Sequence, residues 1–150
     1  MTEKDKIVAL RRLSQKYAYT SIKMHENIAR DLGFSSTDHK YLGFFLQKGN
    51  LTAGELAKLS GLTTGAVTGL IDRFEKKKLV KRQFDPKDRR KVIIVPDSQK
   101  IINLFEPYYK EFQAATDELI STFSDEEFSS IENYFLKAID LMNETMQKIN

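Results

Sequence analysis

Residues 51–82, LTAGELAKLSGLTTGAVTGLIDRFEKKKLVKR, followed closely by residues 85–92, DPKDRRKV, decide the fold. Thr52 and Glu55 have the T-x-x-E spacing of a capping box, in which each side chain satisfies an orphan backbone donor, so a helix is expected to start at Ala53. Gly61 ends it, because a residue without a Cβ permits the left-handed turn that separates two helices. A second helix is expected from Thr64 to Lys78. Ala57 is small enough for the two helices to approach, and Val67 and Leu70 fill the wedge between them, which is the spacing of a helix-turn-helix. Residues 80–84 and 91–95 then form two short strands around the turn Asp85-Pro86-Lys87-Asp88, a β-hairpin placed where a wing would lie.

Working outward, residues 4–32 form a helix with Leu10, Tyr17 and Met24 at intervals of seven and Ile28 one turn on, closed by Gly33. Ser35 offers the N-cap of the next helix with Asp38 at its third position, and Tyr41, Leu42, Phe45 and Leu46 give that helix an apolar face until Gly49. Leu51 can form a short strand. Beyond Pro96, the positions Ile101, Phe105, Tyr108, Phe112, Ala115 and Leu119 describe one long amphipathic helix, which Pro107 is placed to bend. Ser124 and Glu127 form a second capping box, and the last helix carries Phe128, Phe135, Met142 and Ile149 at intervals of seven.

That row can bury a seam inside one chain or between two. Long terminal helices on both sides of a small central module need a partner surface, so dimerisation through Leu10, Tyr17, Phe128, Phe135, Met142 and Ile149 is the expectation. The fold class is mainly α with a small β-hairpin wing: a winged helix-turn-helix with long N- and C-terminal dimerisation helices. Residues 1–150 are expected to form a single domain, in which 1–32 and 98–150 dimerise and 33–97 hold the winged helix-turn-helix.

With 41% apolar and 30% charged residues, the 150-residue chain has the composition of an ordinary globular protein. Its net charge of +3 hides a strong segregation. Residues 73–91 hold ten lysines and arginines against three acidic residues, whereas residues 111–150 hold two against nine. Concentrated positive charge is the footprint of a polyanion site, although it also suits a merely soluble surface. No signal-peptide pattern and no bilayer-length apolar run is present, so a soluble cytoplasmic protein without membrane attachment is expected. The absence of cysteine excludes disulfides, thiolate metal sites and thiol switches.

Enzyme readings find little support. Asp72, Asp85 and Asp88 form an acidic group near the basic segment, but Asp85 and Asp88 lie among lysines and arginines in a turn, where surface pairing is the ordinary explanation. His25 and His39 lack metal-ligand spacing, and no phosphate-cradling glycine loop or nucleophile elbow occurs. No catalytic residue, metal or cofactor is expected.

From about Gly33 to Val95 the sequence resembles the MarR family of bacterial regulators. The most specific parts are the two quoted stretches: the first resembles the family's helix-turn-helix leading into a wing strand, and DPKDRR resembles its wing tip. There an aspartate two residues before an arginine recurs, here Asp88 and Arg90. The resemblance implies that Arg90 enters a minor groove while Asp88 orients it. Two departures stand out: Lys78 occupies a position usually held by glycine, and Pro96-Asp97-Ser98 stands where the family commonly has Leu-Thr.

The implied partners are duplex DNA and a second copy of the chain, with a possible small-molecule effector. Thr63, Thr64, Gly65, Thr68 and Gly69 would face the major groove, without a long side chain for bidentate base reading. Gly65 and Gly69 fit either close backbone approach to DNA or simple tolerance on a surface. Arg82, Lys87, Asp88, Arg89, Arg90 and Lys91 would make up the wing, with Arg73, Lys87 and Arg89 on phosphates. Family effectors bind between the dimer helices and the DNA-binding lobes; Tyr17, His25 and Tyr41 are candidates there or plain core residues, and no ligand is assigned. A homodimeric repressor acting on a pseudo-palindromic operator is the expected function. The alternative is a winged-helix protein-interaction module whose basic wing binds an acidic partner.

Overall fold

The computed structural model describes every residue except Ser36. Its elements are α1 (Glu3–Asp31), α2 (Asp38–Lys48), β1 (Leu51–Thr52), α3 (Ala53–Ser60), α4 (Thr64–Lys76), β2 (Val80–Phe84), β3 (Val92–Pro96), α5 (Ser98–Ser121) and α6 (Asp125–Ile149). Two compact units divide the chain, Met1–Glu106 and Pro107–Asn150, and α5 crosses the boundary.

The first unit holds the core. Ala29 of α1, Tyr41, Leu42 and Phe45 of α2, Leu56 of α3, Val67, Leu70, Ile71 and Phe74 of α4, Ile94 of β3 and Ile101 of α5 are buried together. The spacing of Val67, Leu70, Ile71 and Phe74 puts all four on one stripe of α4, leaving Thr64, Gly65 and Thr68 exposed on another. Leu46, expected on the core face of α2, is exposed.

The three strands form one antiparallel sheet in the order β1-β3-β2, with Leu51 opposite Ile94. The expected hairpin is therefore joined by the short strand that precedes the helix-turn-helix, which fixes the wing's base to α3. β3 begins at Val92 and ends at Pro96, one residue later at each end than expected.

Local chemistry explains most helix ends. Thr2 and Asp5 form a capping box at the start of α1, with bonds of 2.9 and 3.1 Å, so this helix begins a residue earlier than its apolar pattern suggests. Ser124 and Glu127 form the expected box on α6. At α3, the Thr52 hydroxyl accepts from the Glu55 N–H at 3.1 Å, which is the hydroxyl half of the box. The expectation for α2 needs correction. Thr37, not Ser35, occupies its N-cap position, and Asp38 is its first residue, although the Ser35 hydroxyl still accepts from the Asp38 N–H at 3.3 Å.

α1 and α4 end alike. Phe34 N–H donates to Ala29 and Gly33 N–H to Arg30; in the same pattern Leu79 N–H donates to Phe74 and Lys78 N–H to Glu75. Both are Schellman closures, which place one residue in the left-handed region. At α1 that residue is Gly33, with φ +83°, and at α4 it is Lys78, with φ +58°. Lys78 thus adopts the backbone geometry that glycine favours, and this is why α4 stops at Lys76 rather than at Lys78.

The second unit comprises the later part of α5 and all of α6. Among its described residues α6 has no buried side chain. Phe128, Phe135, Met142 and Ile149 are all exposed, as are Leu10 and Tyr17 of α1. The seven-residue row is therefore not consumed by core packing within this chain.

Candidate nucleic-acid interface

α4 starts with Thr63 as its N-cap, whose hydroxyl accepts from the Ala66 N–H at 3.2 Å. That bond uses an oxygen lone pair, so the hydroxyl proton remains available to donate. Thr68 is arranged the other way. Its hydroxyl donates to the Thr64 carbonyl at 3.0 Å and so offers a lone pair outward. The two threonines present a donor and an acceptor on the exposed stripe, a short-range substitute for a long base-reading side chain. A Cβ added at Gly65 would meet nothing within 4 Å, and one at Gly69 would make ordinary contact with Arg73 Nη1 at 3.6 Å. The fold itself does not require either glycine.

The wing is built around two aspartates. Asp85 Oδ1 accepts from the Lys87 N–H at 2.8 Å, and Asp88 Oδ1 accepts from the Arg90 N–H at 3.0 Å, so each side chain mimics a backbone turn. Asp85 N–H donates to the Lys91 carbonyl at 2.9 Å, closing the loop at its neck. Asp88 Oδ1 also accepts from Arg90 Nε at 3.3 Å, which orients a guanidinium whose side chain is 93% exposed. Lys87, Arg89 and Lys91 stand exposed around it.

Two further arginines singled out in the sequence also have partners within the chain. Arg82 bonds Asp72 through Nη2 at 2.6 Å and Glu75 through Nη1 at 2.8 Å, while its own N–H donates to Glu75 Oε2 at 3.0 Å. The Asp72 hydrogen bond is the largest influence holding the guanidinium above its ordinary pKa. This clamp ties β2 to α4, so the wing and the helix beside it are held as one body. Arg73 reaches back instead, with Nε and Nη2 each 3.2 Å from the Asp38 carboxylate of α2. The bidentate pair does not use Nη1, which lies beside Gly69.

Asp38 is the residue that sequence reasoning placed wrongly, as a cap partner on the third position of its helix. Its side chain is only 6% exposed, and it pairs with a half-exposed Arg73. The signal was present: Asp38, Tyr41, Leu42 and Phe45 fall at i, i+3, i+4 and i+7 of a single helical stripe, and an acid on an apolar stripe calls for a cation partner. His25 and His39 lie far apart in sequence but stack with ring centroids 5.9 Å apart, joining α1 to α2. Tyr41 is a core residue, whereas Tyr17 is exposed.

Residues 32–91, which span the helix-turn-helix and the wing tip, match the model of the MarR family. The HTH-type transcriptional regulator YcgE of Bacillus subtilis is 37% identical over 140 residues, covering 91% of this chain and 88% of the relative. The chain belongs to the MarR family. MhqR, another HTH-type transcriptional regulator of Bacillus subtilis, is 30% identical over 77% of this chain and 78% of its own length.

Among solved structures, a MarR family protein from Bacillus stearothermophilus superposes with a TM-score of 0.69 at 25% identity, over 95% of this chain and 99% of that one. The MepR–DNA complex of S. aureus superposes with a TM-score of 0.63 at 23% identity, over 88% and 98%. In MarR-family terms, α3 and α4 are the helix-turn-helix and β2–β3 the wing. The chain is a transcriptional regulator of this winged-helix class, not an enzyme.

Proposed function

We propose that this MarR-family chain acts as a homodimeric repressor that binds a pseudo-palindromic operator and is released by a small-molecule effector. The observation that carries the DNA-binding mode is the Arg82 clamp, which holds a basic wing and the exposed stripe of α4 in one fixed relation. Thr63, Thr64, Gly65, Thr68 and Gly69 enter a major groove. Arg90, oriented by Asp88, enters the adjacent minor groove, where narrow A·T-rich segments concentrate negative potential. Lys87, Arg89, Lys91 and the Nη1 end of Arg73 meet phosphates, and Arg82 positions the wing rather than touching DNA. The MepR structure, solved with DNA, supports this docking by its similar fold.

The dimer is supported by the exposed row Phe128, Phe135, Met142 and Ile149 together with Leu10 and Tyr17, since exposed apolar rows of this length mark association surfaces. Release by an effector follows family precedent, with no ligand assigned. As a regulator of genes, the protein works in the cytoplasm.

Fluorescence anisotropy on labelled duplexes over a range of salt concentrations tests the proposal. Binding should show a sequence preference, and log affinity should fall linearly with log salt. Salt-independent or absent duplex binding, with capture by an acidic protein surface instead, would favour the protein-interaction alternative.

A further inference from the structure

The β2–β3 ladder carries three rungs on the face that meets α4. Directly opposed residues share a face, and alternate rungs return to it, so Val80–Pro96, Arg82–Ile94 and Phe84–Val92 all point the same way. The first two are used by the fold: Val80 and Ile94 are buried, and Arg82 is clamped to Asp72 and Glu75 of α4. The third overhangs the core. Phe84 is 68% exposed and Val92 39%.

An aromatic ring and a β-branched side chain thus form an apolar step at the root of the wing tip. Lys91 directly precedes Val92, and Lys87, Arg89 and Arg90 stand on the loop just beyond. A patch bordered by cations on a wing suits a partner that alternates apolar and anionic surface. The sugar–phosphate backbone of duplex DNA does so, because C–H-rich deoxyribose rings lie between phosphates.

We infer that Phe84, backed by Val92, packs against deoxyribose on the stretch of backbone that separates the groove entered by α4 from the groove entered by Arg90. This inference rests on the winged-helix docking proposed above. Phe84 then acts as a ruler between the two readers: its ring sets how deeply the wing tip reaches while adding contact that does not depend on charge. Apolar burial is insensitive to counterion release, which separates this contact from the phosphate contacts around it.

Equilibrium binding of Phe84→Ala, Phe84→Leu and Lys87→Ala to a selected duplex, each over a salt series, tests the inference. Phe84→Ala should weaken binding about tenfold at every salt concentration with an unchanged salt slope, corresponding to about 1.4 kcal/mol. Phe84→Leu should recover most of the loss. Lys87→Ala should instead lower the slope by about one unit. Thermal melting without DNA should leave Phe84→Ala close to the parent, since the ring is exposed. Parent-like DNA binding by Phe84→Ala overturns the inference, as does a change of oligomeric state on light scattering, which would assign the rung to a self-contact. If the unaltered protein binds duplex with the expected salt dependence while Phe84→Ala is silent, only the Phe84 role fails. If the unaltered protein does not bind duplex, both readings fail together.

Discussion

At the tip of the wing, Asp88 Oδ1 accepts from both the backbone and the side chain of Arg90, so the guanidinium of this arginine is oriented, whereas Asp85 holds Lys87 through its backbone N–H. Lys87→Ala should lower affinity for all duplexes alike. Arg90→Ala should lower it and also flatten the preference for A·T-rich flanks, with Asp88→Ala a weaker copy; binding to paired A·T- and G·C-flanked duplexes measures both effects. Equal flank preference in Arg90→Ala and Lys87→Ala would reduce the wing to an electrostatic arm. The residue scale also holds a stored cost. Lys78 sits at φ +58° where glycine is unstrained, so Lys78→Gly should raise stability by about 0.5–1 kcal/mol, read as an upward shift in thermal midpoint of about 1–4 °C. A lower midpoint would mean that the lysine side chain contributes more than its backbone strain costs. Arg73→Ala suits neither comparison, because it leaves Asp38 buried without its ion-pair partner and so confounds lost contact with lost stability.

Helices and strands were legible to the extent that their cause is local. The 3.6-residue stripe of α4, the Gly61 turn, the Ser124–Glu127 box and the Asp85–Pro86 turn each follow from neighbours in sequence. What joins the elements was not legible in the same way. The Arg73–Asp38 pair spans 35 positions, and the Arg82 clamp links a strand to the helix before it, so neither leaves a short spacing to recognise. The wing-tip arginine was found by motif, and the overhanging Phe84 became visible only once the strand register was known. The capping boxes make a prediction of their own. Hydrogen bonds from Ser124, chiefly from its backbone N–H, lower the Glu127 pKa below the ordinary 4.5. A carboxylate with a depressed folded pKa contributes stability that is fully present above 4.5 and is lost as pH falls through the lowered value. The start of α6 should therefore fray on acidification, seen as faster amide exchange at residues 125–128 after correction for intrinsic rates. Glu127→Gln should remove most of that pH dependence, and an equal acid response in the variant would assign the fraying to other carboxylates.

For the whole molecule, the property to test is the proposed association of two chains. A helix of 25 residues with none of its described side chains buried lacks the burial that normally stabilises an amphipathic helix, and in the proposed dimer the exposed Phe128–Ile149 row would supply that burial. Phe135→Glu should halve the mass seen by light scattering from that of two 17.3 kDa chains and weaken operator binding, although the substitution lies on a helix outside the DNA-reading elements. The most direct test is hydroxyl-radical footprinting of the protein on a duplex selected from a random pool. Two protected patches related by two-fold symmetry, with half-site centres about 10 bp apart and flanking protection where the wings reach the minor groove, are the expected result. A single asymmetric patch, bound as tightly by a monomer, would contradict the proposal that two copies of this winged helix read one operator together.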